Sequence, residues 1–255
     1  MKLARFCRRD TEHLGVVEGD HIQAAEGDVF GAVRPTDERY PLAEVKLLPP
    51  VRPSKIVAVG LNYKDHAEEL KVELPAEPLL FLKPSSAVIG HLDPICYPPM
   101  SHRVDFEGEL GIVIGKAAHH VPEHRAEEFI LGYTCVNDVT ARDLQGKDGQ
   151  WTRAKGFDTF APLGPWMETE IDPASLQIET FLNGERRQAS TTANLIFSPR
   201  HLVSFISQVM TLYPGDVIAT GTPSGIGPME VGDQVEVVIE GIGRLVNGVT
   251  SHDAA

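Results

Sequence analysis

Val104-Asp-Phe-Glu-Gly-Glu-Leu-Gly-Ile-Val-Ile114 alternates with a period of two, which places Val104, Phe106, Leu110, Ile112 and Ile114 on one face of an extended strand. The opposite face carries Asp105, Glu107 and Glu109. Carboxylates at i and i+2 point the same way, and two like charges about 4 Å apart repel by roughly 4 kcal/mol at an effective dielectric of 20. A bound cation relieves that repulsion; on an ordinary strand the same residues form a solvated face. The long apolar stripe behind them, and a third carboxylate downstream, weigh against the solvated reading.

Strand patterns also dominate the surrounding sequence. Residues 55–59 are a short apolar run closed by Gly60, and 216–219 read as another strand. Residues 176–182 meet 185–189 across Asn183-Gly184, a pair that supplies positive φ at both central positions of a type I′ hairpin turn. A second hairpin joins 234–239 to 244–249. Helices are few. The clearest opens at Ser198-Pro199, a capping residue followed by proline, with Leu202, Phe205, Ile206, Val209 and Met210 on one face. Others are expected over 122–129 and from Asn62 onward. Strands and helices do not alternate regularly, so the pattern predicts a β-rich α+β domain and not a doubly wound sheet. Residues 1–52 read as a small N-terminal module of short strands with turns at Glu18-Gly-Asp20 and Glu26-Gly-Asp28. The proline cluster Pro49-Pro-Val-Arg-Pro53 separates it from a main domain over 53–255.

Composition narrows the class. Of 255 residues, 42% are hydrophobic and 23% charged, which fits a soluble globular chain. Thirty-six acidic against 23 basic residues give a net charge of −13, with no basic run longer than Arg8-Arg9 or Arg186-Arg187. Nucleic acid and anionic membrane are therefore not expected partners. Cys7, Cys96 and Cys135 are too few and too scattered for a disulfide framework or a zinc site, and point to a reducing cytoplasm. Neither a signal peptide nor a membrane span is expected.

Three constellations could carry chemistry. Asp138 ends the strand-like Leu131-Gly-Tyr-Thr-Cys-Val-Asn-Asp138, a rigid place for a ligand, although an aspartate there also serves a turn or a helix cap. With Glu107 and Glu109 it makes an all-oxygen set suited to a hard ion such as Mg²⁺, Mn²⁺ or Ca²⁺. In Gly60-Leu-Asn-Tyr-Lys-Asp-His-Ala-Glu-Glu-Leu70, a helix capped by Asn62 sets His66 and Glu69 three apart on one face. The carboxylate can then orient the imidazole as a general base; on a solvated helix the pair would be inert. Finally, Ala219-Thr-Gly-Thr-Pro-Ser-Gly-Ile-Gly-Pro228 has glycines that let backbone N–H groups approach a small carboxylate, with Thr222 and Ser224 adding hydroxyls; a plain turn is the other reading. It lacks the Gly-Lys-Ser/Thr of a P-loop.

Together these segments resemble the fumarylacetoacetate hydrolase family. The resemblance rests on Gly60-Leu-Asn-Tyr-Lys-Asp-His66, Phe81-Leu-Lys-Pro84, Val104-Asp-Phe-Glu-Gly-Glu-Leu110, Asn137-Asp-Val-Thr-Ala-Arg-Asp143, Lys155-Gly-Phe-Asp-Thr-Phe160 and Thr220-Gly-Thr-Pro-Ser-Gly225, in the family's order. It implies a mixed β-sandwich roll, usually dimeric, holding Mg²⁺, or Mn²⁺ or Ca²⁺, on Glu107, Glu109 and Asp138. It further implies that Lys155 contacts metal-bound ligand or water and that His66 with Glu69 activates water. Gln145 and Thr222 would line the pocket, Gly221 and Thr222 would receive a substrate carboxylate, and Lys83 and Arg142 would add positive charge near substrate. Where the large animal enzyme of the family contributes a further aspartate, this chain reads Leu61-Asn62-Tyr63, so three protein carboxylates are expected.

The resemblance is greatest to small bacterial and mitochondrial members acting on acylpyruvates, oxaloacetate or related 2-oxo acids. The expected reaction is metal-dependent cleavage of a carbon–carbon bond next to a ketone. Decarboxylation or isomerisation of oxaloacetate or of an unsaturated oxo-diacid is the alternative, and a noncatalytic metal-binding protein a third.

Overall fold

The stretch 104–114 does not form one strand but breaks at Glu107. Val104–Phe106 and Gly108–Ile114 are separate strands belonging to different sheets, and both faces of each are buried. The computed structural model describes residues 1–251 and contains sheets of twelve, three and five strands. The main path of the largest runs through Val33–Pro41, His21–Gly27, Thr11–Glu18, Lys2–Arg8, Ala161–Glu168, Ile130–Asn137, Gly108–Ile114, Val217–Ala219, Lys55–Gly60 and Leu79–Pro84. Neighbours on this path are antiparallel except Val217–Ala219 beside Lys55–Gly60. The expected β-rich α+β roll is therefore what the chain forms. Strands of the first 52 residues extend this sheet, Lys2 and Leu3 pairing with Glu168 and Met167.

Period-two patterning divides the interior. Leu110, Ile112 and Ile114 face a core shared with the five-stranded sheet, through Ile178, Val237 and Ile239. Val113 faces a second core with Ile56, Ala58 and Val217, while Val104 and Phe106 sit in a third with Val139 and Phe160. Each such aliphatic side chain contributes on the order of 1.5–3 kcal/mol by leaving water. The Asn183-Gly184 hairpin forms as expected, with φ of 53° and 78°, between Gln177–Leu182 and Glu185–Thr191.

Among the described residues there are four α-helices: α1 Lys64–Leu70, α2 Arg142–Asp148, α3 Thr152–Lys155 and α4 Pro199–Val209. On α4 the Ser198 hydroxyl accepts from the His201 N–H at 3.2 Å, the expected cap. Its buried face holds Leu202, Val203 and Ile206, whereas Val209, expected inside, is 59% exposed. The run expected over 122–129 is the 3₁₀ segment Glu123–Phe129. Asn62 does not cap α1; Tyr63 occupies that position without a side-chain bond. Asn62 instead donates to the carbonyls of Phe197 and Thr220 and accepts from the Phe197 N–H, joining three chain segments. No helix among the described residues is long and apolar enough to cross a membrane.

One buried carboxylate fastens the start of the main domain. Asp216 Oδ1 accepts from the N–H groups of Ser54 and Lys55 and from the Ser54 hydroxyl, at 3.1, 3.2 and 2.6 Å. Its Oδ2 takes the Tyr213 N–H at 2.8 Å and the Lys55 ammonium. Burial alone would raise its pKa, but these donors hold it below the usual 3.8. Stability from this depressed group is present above 3.8 and lost as pH falls through the lower folded-state value. Asp216→Asn puts an N–H₂ opposite the Tyr213 N–H and the Lys55 ammonium, so it should cost about 2–4 kcal/mol at pH 7. Urea melts should show the gap to wild type closing below pH 3.8; an equal gap at every pH would contradict this account.

Candidate active site

Glu107 lies at the break between its two strands, where its N–H donates to Asn137 Oδ1 at 2.9 Å and its carbonyl accepts from the Asp138 N–H at 2.8 Å. The antiparallel register of Gly108 with Asn137 therefore brings Glu107, Glu109 and Asp138 together. All three are buried, and one carboxylate oxygen from each lies within 4.8 Å of the other two. The residue between the two glutamates must be small: a Cβ on Gly108 would stand 2.1 Å from Thr180 Oγ1.

Cations surround two of the three carboxylates. Lys155, at the end of α3, donates to Glu107 Oε2 at 2.8 Å and to Asp138 Oδ2 at 2.6 Å. Its ammonium also lies 4.9 Å from the centroid of the Phe81 ring. Arg142, opening α2, binds Glu107 Oε1, Asp105 Oδ2 and Gln145 Oε1. Burial works against ionisation of Glu107, but Lys155 and Arg142 overcome it and hold its pKa below the usual range. Burial likewise opposes the Lys155 charge, and Asp138 and Glu107 reverse that, so its pKa is raised.

Glu109 has no such partner. It accepts from the Gly221 N–H at 2.8 Å, and burial together with Asp138 and Glu107 pushes its pKa well above normal. A buried carboxylate crowded by two others and held by one amide is suited to a hard divalent cation. The donor set thus fits the expected ion chemically.

Above the carboxylates is a pocket of about 370 Å³. His66, Gln145, Trp151, Lys155 and Thr222 line it together with the three acids. On α1, His66 Nδ1 and Glu69 Oε2 are 2.9 Å apart, and Glu69 also accepts from the Gly225 N–H at 3.2 Å. The Asp65 carboxylate accepts from the Ser190 hydroxyl, giving α1 a second tether.

Lys83 and Gly221, both expected near substrate, do not line this pocket. Lys83 is fully buried beneath the pocket, donating to Asp138 Oδ1 at 2.5 Å and to the Val139 carbonyl at 3.1 Å; its burial lowers its pKa. Gly221 gives its N–H to Glu109. The glycine-rich loop thus directs the amides of Gly221 and Gly225 at the protein's own carboxylates, where a substrate carboxylate was expected.

Other contributors carried no readable signal. Asp105 was legible as a carboxylate but not as the partner of Arg103 and Arg142. Trp151, edge-on to Phe81 with ring centroids 5.2 Å apart, belongs to a glycine-rich stretch that the chain winds largely into α2. Gln188, fully buried, sits in a Glu-Arg-Arg-Gln run that reads as solvated.

Comparison with known proteins bears on this site. Residues 1–50 match the family model described as Rv2993c-like, N-terminal. The crystal structure of a 5-carboxymethyl-2-hydroxymuconate delta-isomerase from Mycobacterium smegmatis is 48% identical, with a TM-score of 0.92 over 98% of this chain and 100% of that one. A maleylpyruvate hydrolase from Sphingobium sp. SYK-6, in complex with manganese(II) ion and pyruvate, is 33% identical, with a TM-score of 0.82 over 98% and 99%. The mitochondrial oxaloacetate tautomerase Fahd2a of Rattus norvegicus is 42% identical over 221 residues, 82% of this chain and 71% of that protein. Residues 55–250, most of the sequence, match the family model described as fumarylacetoacetate (FAA) hydrolase C-terminal, and the chain belongs to that family.

Proposed function

We propose that the protein is a divalent-metal-dependent hydrolase that cleaves the carbon–carbon bond next to a ketone in a small acylpyruvate-like 2-oxo acid. The observation that carries this reading is that the His66–Glu69 pair and the three-carboxylate cluster line one pocket. Glu107, Glu109 and Asp138 would hold Mg²⁺ or Mn²⁺, which when bound supplies Lewis acidity toward the 2-oxo oxygen.

The remaining work falls to the chain itself. Glu69 on Nδ1 orients the imidazole, leaving Nε2 of His66 to take a proton from water. The hydroxide adds to the carbonyl beyond the scissile bond. That bond then breaks, its electron pair passes to the 2-oxo fragment as an enolate, and the proton held on His66 can return to that carbon. Lys155, with its raised pKa, stays charged and offsets negative charge developing on oxygen. The names of the rat tautomerase and the mycobacterial isomerase support a second reading, in which the same pocket shifts a proton within a 2-oxo diacid; release of CO₂ from such an acid would pass through the same enolate.

Ultraviolet assays with acetylpyruvate and with oxaloacetate, in Mg²⁺ and after EDTA, separate these readings. Loss of acetylpyruvate that EDTA stops is expected; consumption of oxaloacetate alone would favour the second reading, and inertness toward both would sink the first. His66→Ala should lower hydrolysis about 10²- to 10⁴-fold. Full hydrolysis in that variant would remove His66 as the base. Glu109→Gln keeps the acceptor for Gly221 but relieves the like-charge crowding. Differential scanning calorimetry should therefore find the EDTA-treated variant more stable than wild type, by about 1–2 kcal/mol, yet unresponsive to added Mg²⁺. A normal Mg²⁺ response would take Glu109 out of the ion's shell.

A further inference from the structure

Behind the pocket, three hydrogen bonds close on themselves. The Gly108 N–H donates to Gln188 Oε1 at 3.0 Å, Gln188 Nε2 donates to Thr222 Oγ1 at 2.8 Å, and the Thr222 hydroxyl donates to the Gly108 carbonyl at 2.9 Å. Amide and hydroxyl orientations can be ambiguous, but here the backbone removes the ambiguity. The Gly108 N–H can only donate, so it faces Oε1. The second Nε2–H meets the Pro223 carbonyl at 2.8 Å, which can only accept. Nε2 must then donate to Thr222, and Thr222 must give its proton to Gly108. Turning the hydroxyl outward would orphan a buried carbonyl, so the ring has one stable sense.

A hydroxyl has one proton and two lone pairs. In the Thr222 hydroxyl the proton and one lone pair are used inside the ring, so this hydroxyl has only a lone pair left to offer, and Thr222 lines the pocket. Gln145, on the same pocket, has its Oε1 on the Arg142 guanidinium at 2.7 Å, so its free N–H₂ is a donor. Beside the acids, His66, Arg142 and Lys155, Thr222 thus adds an acceptor and Gln145 a donor, which complement a ligand bearing a hydroxyl and an oxo group.

We propose that Gln188 is a positioning residue that fixes Thr222 as a hydrogen-bond acceptor, so that this wall takes a substrate hydroxyl, as in the enol form of a 2-oxo acid, in preference to a carbonyl or carboxylate oxygen. This rests on the 2-oxo-acid reading above and names the tautomer that the pocket selects. Thr222 is thereby a specificity residue whose hydroxyl acts as an acceptor and not as a donor to substrate.

Calorimetric titration of the Mn²⁺-loaded full chain with lactate and with pyruvate tests it, because these probes differ in whether the C2 oxygen carries a proton. Thr222→Val should lose roughly threefold to tenfold in affinity for lactate while pyruvate changes by less than about twofold. Thr222→Ser should restore the wild-type lactate-to-pyruvate ratio. Gln188→Met should lower that ratio, with no further fall in the double variant; a merely structural role would weaken both probes together. Equal losses for the two probes in Thr222→Val, or a larger loss for pyruvate, would overturn the proposal. The Thr222 variants decide this even if Gln188→Met does not fold. Binding of neither probe to the wild-type protein is a separate result, which would remove the 2-oxo-acid reading and the proposal with it.

Discussion

Three carboxylates held within 4.8 Å of one another and out of water are the constraint to which the centre of the structure answers. Each like-charged pair at that spacing costs on the order of 3–4 kcal/mol at an effective dielectric of 20. The chain spreads the compensation over several elements: Lys155 from α3, Arg142 from α2, Lys83 from the Leu79–Pro84 strand, and the Gly221 amide. None of these is local in sequence to the acid it serves. The cluster therefore holds distant parts of the fold in place, and the fold in turn prevents the acids from moving apart.

The compensation is uneven, and the unevenness has chemical content. Glu107 and Asp138 have ammonium or guanidinium partners at hydrogen-bond distance, while Glu109 has an amide alone. A site balanced for its own sake would not leave one buried acid so poorly satisfied. Stability is sacrificed at this point, as is common where a fold carries function, and the three acids form a group that could hold a divalent cation.

Much of this was legible in the sequence, and the boundary of legibility is physical. Period-two alternation exposed the carboxylate face of residues 104–114, because side-chain direction in a strand is set by the backbone. It could not expose the break at Glu107, since Val104–Phe106 and Gly108–Ile114 keep the alternation while belonging to different sheets. The Asn183-Gly184 turn and the Ser198 cap were readable from local chemistry. Asn62 misled for the same reason: asparagine is a good cap, but its three bonds are to residues far along the chain. The site residues came from motif resemblance, and what resemblance lacked was polarity. Lys83 looks like a pocket cation until its burial is known, and Gln188 has no signature at all.

The seven-residue helix α1 has an implication beyond the site it completes. It has no side-chain cap, and a helix of that length is not stable by itself. Its order is lent by Ser190 on a hairpin and by the Gly225 amide on the glycine-rich loop. The acids, by contrast, are carried by the sheet and its margin. The helix is therefore expected to open before the sheet that carries the acids. Gentle heating or dilute denaturant is then expected to displace His66 through loss of this short helix while the carboxylate cluster and the global fold persist, so any function that needs both would report on the weakest local unit and not on overall stability.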